Sequence, residues 1–127
     1  MKKALCLITV MVCLMFASMC FASTDEEYVK SLERDALNGD AEAQTILGIR
    51  YEDGDGVEQN YAKAREWYEK AANQGHVDAQ LFLGIMYEDG NGVRQNFATA
   101  KEWYKKACDN GDRLGCGKYK ELNEQGY

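Results

Sequence analysis

Residues 40–75 read DAEAQTILGIRYEDGDGVEQNYAKAREWYEKAANQG, and residues 76–111 read HVDAQLFLGIMYEDGNGVRQNFATAKEWYKKACDNG. The two blocks align without a gap and are identical at 21 of 36 positions. Gly48 returns as Gly84, Tyr51 as Tyr87, Trp67 as Trp103 and Gly75 as Gly111. A fixed period of this length marks a stacked array, because one such unit is too small to bury its own apolar face. The spacing therefore predicts an all-α solenoid before any other feature is considered.

Each unit reads as two helices. In the first, about residues 41–52, Ala43, Leu47 and Tyr51 recur at steps of four and form one stripe. Gly48 and Gly84 stand inside these helices, where glycine costs about 1 kcal/mol relative to alanine. Close helix–helix approach accounts for their recurrence. The helix ends at Asp53-Gly54-Asp55-Gly56, since glycine accepts the left-handed conformation that stops a helix. Val57 anchors the loop, and Asn60 supplies an N-cap for a second helix over residues 61–73. There Ala64, Trp67, Tyr68 and Ala71 fall at i, i+3, i+4 and i+7.

The LGxxY helix, the GxGV loop, the AxxWYxKA helix and the period itself resemble the Sel-1-like repeat, a relative of the tetratricopeptide repeat. The resemblance is close from Ala43 to Gly111 and weaker on both sides. It implies a right-handed superhelix of antiparallel helix pairs and a role as a protein-binding adaptor.

Residues 1–22 begin with Lys2 and Lys3, continue through an apolar run from Ala4 and end Cys20-Phe21-Ala22. Positive start, apolar middle and small residues one and three before the cut read as a secretory signal cleaved between Ala22 and Ser23. A lipoprotein acylated at Cys20 is disfavoured by Met19, and an uncleaved anchor is the other rival. The mature chain, residues 23–127, would carry 13 basic and 21 acidic side chains. With nothing basic clustered, nucleic acid and anionic membrane surfaces are disfavoured as partners. A periplasmic or secreted monomer is expected.

Residues 24–39 correspond to half a unit, with Leu32 in the slot of Tyr68 and Ala36 in that of Ala72, and read as an N-terminal capping helix. Residues 112–127 repeat the first-helix slot, with Tyr119 where Leu83 stood, and read as a C-terminal cap. Solenoids need such polar ends to stay soluble.

Cys6, Cys13 and Cys20 would leave with the signal, so Cys108 and Cys116 remain. Two cysteines in an exported chain predict one bridge, here across the hairpin turning at Asn110-Gly111-Asp112. Such a bridge closes about nine residues, worth roughly 2.5 kcal/mol on the chain-entropy account. A redox-active pair is the alternative, although redox motifs usually separate the cysteines by two residues. The spacing also resembles the cysteine-rich Hcp-type branch of the family, whose exported members are stapled hairpin by hairpin; this chain has a single staple. That resemblance brings a penicillin-binding or β-lactamase label. The mature chain offers only Ser23 and Ser31, neither followed by Lys three residues on, as a serine β-lactamase requires. His76 is the only histidine, which leaves no zinc set and no Ser/His or Cys/His nucleophile. Its place at a helix start reads as a cap. Asp53, Asp55 and Glu58 fail the EF-hand spacing at Val57. No catalytic residue, cofactor or metal site is expected, and a binder of a small envelope ligand such as a peptidoglycan fragment is the other alternative.

The face opposite the packed stripe carries Glu42, Thr45 and Ile49 in the first unit and Asp78, Leu81 and Ile85 in the second. Carried over by position, the tetratricopeptide fold places this face in a concave groove. It would receive a protein or peptide with apolar and basic side chains. The alternative is that Leu81 and Ile85 pack on a neighbouring helix and no groove is open.

Overall fold

The computed structural model describes the backbone of residues 2–127 and the side chains of residues 8–13 and 24–127. Six helices follow one another, α1 (Lys2–Leu37), α2 (Ala41–Asp53), α3 (Tyr61–Asn73), α4 (Val77–Asp89), α5 (Phe97–Asp109) and α6 (Arg113–Glu124). No strand occurs among the described residues. Among the described residues, extensive contacts run between helices adjacent in the chain, as in a solenoid. Residues 24–37 of the segment read as a cap are the last part of α1. The proposed cleavage junction Ala22–Ser23, with Cys6 and Cys20, lies outside the residues whose side chains are described.

Local chemistry sets the helix boundaries. Asp40, Asn60, Asn96 and Asp112 each accept a hydrogen bond from the backbone N–H three residues on. His76 holds the same backbone position before α4, yet its side chain makes no capping bond, which corrects the reading of it as a cap. Helices α2 and α4 stop at Gly54 and Gly90, both left-handed, and the following loop returns its Asn60 or Asn96 N–H to Tyr51 or Tyr87.

The core forms between units. One cluster joins Val29, Leu32 and Ala36 of α1 to Ala43 and Leu47 of α2. A second joins Ala64, Tyr68, Ala71 and Ala72 of α3 to Ala79, Leu83 and Met86 of α4. The third unites Ala100 and Tyr104 of α5 with Leu122 of α6. Within a unit the close approach is ring on backbone. A Cβ built on Gly48 would lie within 3.0 Å of the Tyr68 ring, and one on Gly84 equally close to Tyr104. Both rings are fully buried. Their hydroxyls donate to Glu52 (2.7 Å) and to Glu88, so each ring is pinned at its polar end too. Burial and then the carboxylate partner hold both phenols far above the ordinary tyrosine range. In α6 the slot of these glycines is filled by the exposed Lys120.

Candidate partner-binding face

Helices α2 and α4 place the six sequence-predicted residues on comparable turns, but exposure divides them. Glu42 and Asp78 are exposed on the first turns. Ile49, Leu81 and Ile85 are half-buried. Ile49 packs against the α3/α4 cluster, while Leu81 and Ile85 pack against the α5/α6 cluster. Thr45 is only 4% exposed and does not belong to an open surface. This corrects its placement, and the physical reason is its partner. The Thr45 hydroxyl donates to the Ala41 carbonyl at 2.8 Å and its oxygen lies 3.0 Å from His76 Nδ1. His76 Nε2 in turn lies 2.9 Å from a Glu42 carboxylate oxygen. The histidine at the head of α4 thus reaches back over α2 and covers Thr45.

Threonine, histidine and glutamate in this order invite comparison with a nucleophile, its base and an orienting acid. The geometry does not support that chemistry. Thr45 is buried, and its hydroxyl proton is engaged by a backbone carbonyl in the manner of a helical threonine. The trio is a polar latch between the two units. At the next junction the corresponding slots hold Leu81 and Asp112, and Asp112 caps Gly115 instead. The acidic loop is likewise occupied internally, since Asp55 pairs with the Arg50 guanidinium.

A further set of polar residues escaped the sequence reading. Gln44 donates to the Ala36 carbonyl at 3.0 Å, and Gln80 donates to the Ala72 carbonyl at 3.1 Å. The amide oxygens of these glutamines accept from Gln74 (2.8 Å) and Asn110 (2.9 Å) of the following hairpin turns. Both glutamines are 4% exposed, so their bonds to the Ala36 and Ala72 carbonyls are shielded from water, while those from Gln74 and Asn110 are partly so. The identity of residues 44 and 80 between copies was the signal available for them. In the third hairpin the same slots hold Cys108 and Cys116, which are bridged with their Cα atoms 4.4 Å apart. The predicted disulfide is present, and it replaces a hydrogen-bonded clip.

One cleft of about 370 Å³ opens beside the first loop, lined by Tyr51, Val57, Glu58, Gln59, Asn60 and Lys63. The Lys63 ammonium lies over the Tyr51 ring, 5.1 Å from its centroid. At the corresponding second-unit slots Thr99 replaces Lys63 and Arg94 replaces Glu58.

The family model for the Sel1 repeat matches residues 41–76 and again residues 77–112. Among solved structures, the chain is similar to c5321, a protective antigen present in uropathogenic Escherichia coli strains displaying an SLR fold. That likeness has 33% identity and a TM-score of 0.77, over 80% of this chain and 22% of that one. A Sel1 repeat protein from Oxalobacter formigenes aligns with 31% identity and a TM-score of 0.72, covering 87% of this chain and 46% of its own. Helicobacter pylori cysteine rich protein B aligns with 30% identity and a TM-score of 0.69, over 72% of this chain and 68% of that one. The chain therefore spans about a fifth of the first relative and less than half of the second. Comparison with curated proteins returns no match. Two matched repeats in tandem, together with the helix pairs and the interunit core, establish that the chain belongs to the Sel1 repeat family.

Proposed function

We propose that this protein is an exported interaction module that holds an extended segment of a protein partner on the face presented by α2 and α4. The observation that carries the reading is the pairing of exposed Glu42 and Asp78, one unit apart, beside the half-exposed apolar residues Ile49, Leu81 and Ile85. Apolar side chains of a bound segment would meet the isoleucines and leucine, and its basic side chains would meet the two carboxylates. Electrostatic complementarity of this kind sets specificity and on-rate more than raw affinity. Thr45 has no part in this surface, and His76 and Glu42 define its edge.

Export is supported by the leading segment. Ile8, Val10, Met11 and Val12 are 46–64% exposed, whereas the first core residue among those described is Val29. The apolar run thus contributes nothing to the solenoid core at its described positions, as suits a segment destined for removal. The bridge between Cys108 and Cys116 suits an oxidising compartment.

Peptide display against the purified protein tests the binding reading. Enriched peptides should combine apolar and basic residues. The double variant Glu42→Lys/Asp78→Lys should lose at least about tenfold in affinity for them. Because Glu42→Lys also removes the contact to His76, Asp78→Lys alone is the control that should weaken binding with an unchanged melting temperature. Enrichment of acidic peptides, or binding that is indifferent to the charge reversal, would overturn the assignment of this face.

A further inference from the structure

The three interunit hairpins are closed at one pair of slots in two different ways. Ala36 with Gln44, and Ala72 with Gln80, are joined by a side-chain amide bonded to a backbone carbonyl. Cys108 and Cys116 are joined covalently. A glutamine in this position is satisfied on both sides only when a following turn supplies an amide donor, as Gln74 and Asn110 do. A disulfide needs no second partner. Breaking it, however, leaves nothing equivalent behind, because a thiol is a weak donor on a short side chain.

Helix α6 is also the helix least able to stand alone. It has 12 residues and contains Gly115 and Gly117, and helices shorter than roughly 12–15 residues are marginal in isolation. Gly115 is needed for docking, since a Cβ there would lie 2.9 Å from Ala107 Cβ and 3.1 Å from the Tyr104 carbonyl oxygen. Gly117 meets nothing within 4 Å and only weakens the helix. Beyond the bridge, α6 is held by buried Leu122, half-buried Tyr119 and a 3.0 Å pair between Lys118 and Glu88.

We propose that the Cys108–Cys116 bridge is a redox-operated clamp on α6. Its reduction releases α6 from α5 and uncovers the cluster of Ala100 and Tyr104 together with Leu81 and Ile85, while the other hairpins stay closed. The reductant is a dithiol. One of its thiolates attacks a bridge sulfur to form a mixed disulfide, and its second thiolate displaces the remaining cysteine. The protein gains two thiols as the dithiol becomes a cyclic disulfide. Both cysteines are half-buried, so a small dithiol can reach them. The clamp shares Leu81 and Ile85 with the partner-binding face but does not rest on that reading, and it is tested without any partner.

The experiment is amide hydrogen exchange on the oxidised protein, the protein held in excess dithiol, and the variant Cys108→Ala/Cys116→Gln. Reduction should accelerate exchange across residues 113–124 by about 70-fold, the chain-entropy value of a nine-residue closure expressed as a ratio. Amides of α2 to α4 should keep their rates. In the variant, whose glutamine can reach the residue 108 carbonyl, α6 should exchange more slowly than in the reduced protein and ignore the dithiol. A change below about threefold in α6 on reduction would overturn the proposal, as would equal acceleration in every helix, which would make the bridge a staple of the whole fold. A dithiol response in the variant would overturn it too, by showing that the reductant acts elsewhere.

Discussion

Replacing Gly84 by alanine should destabilise the protein, although the same change in most helices stabilises it. Alanine gains about 1 kcal/mol of helix propensity over glycine. Against this, the new methyl would lie within 3.0 Å of three atoms of the Tyr104 ring. That ring is 0% exposed and cannot retreat into solvent. Overpacking of this kind costs about 1–3 kcal/mol. Displacing the ring also strains the hydroxyl bond to Glu88, a charged-partner bond worth about 1.5–3 kcal/mol. Counted in full, these terms give a net loss of about 1.5–5 kcal/mol, and each kilocalorie lowers the melting temperature of a domain this size by about 4–8 °C. Gly117→Ala is the matched control. It lies in a helix interior with open space around it, so its melting temperature should rise by a few degrees. A Gly84→Ala/Tyr104→Leu double variant should show a favourable coupling energy, because the smaller side chain vacates the space the methyl needs. Calorimetric melts of the parent, Gly84→Ala, Gly117→Ala, Tyr104→Leu and the double variant decide the matter. If Gly84→Ala rises along with Gly117→Ala, then Tyr104 does not seat on Gly84 and the helix register described above is wrong.

Two further outcomes are expected. In alkaline spectrophotometric titration, Tyr68 and Tyr104, two of the eight tyrosines, should stay protonated while exposed phenols ionise. Because burial raises their folded-state pKa above the unfolded value near 10, the associated stability is complete below that pH and falls as pH rises beyond it; all eight titrating together before unfolding would contradict the burial. N-terminal sequencing of exported material should begin at Ser23, and an acylated Cys20 would refute that processing.

Much of this was legible because it is short-range. Asn60 and Asn96 cap the helices that follow them, Gly54 and Gly90 end those before them, and the cysteines meet across one turn. These features depend on spacing along the chain and on residue type. The seams between units depend instead on how one helix pair lies over the next, and a repeat pattern does not carry that geometry. The difference between Thr45 and Leu81 read as freedom to specify a ligand. In the fold it is a matter of junctions, each filled by its own pair of residues. His76 reaches back to the threonine, while Leu81 joins the apolar cluster and Asp112 turns to cap its own helix.

The departures of α6 from the repeat follow one physical rule. In α2 and α4 the eighth helical residue is Gly48 or Gly84, which seats a tyrosine from the helix that follows; in α6 it is Lys120. The fourth is Gln44 or Gln80, which receives an amide from the next turn; in α6 it is Cys116. The ninth is Ile49 or Ile85, which packs against a later cluster; in α6 it is the exposed Glu121. Every one of these slots in α2 and α4 depends on a later part of the array for its partner. Where α6 differs, its residue is satisfied by solvent or by the preceding helix alone. With Lys120 in the glycine slot and Glu121 in the isoleucine slot, α6 lacks the seat that α2 and α4 offer the helix after them. Sequence drift would have weakened the slots that face backwards as well. Those remain packed although their residues change, with Gly115 in the slot of Ala43 and Ala79 against Ala107, and Leu122 in the slot of Met86 buried beside Tyr104.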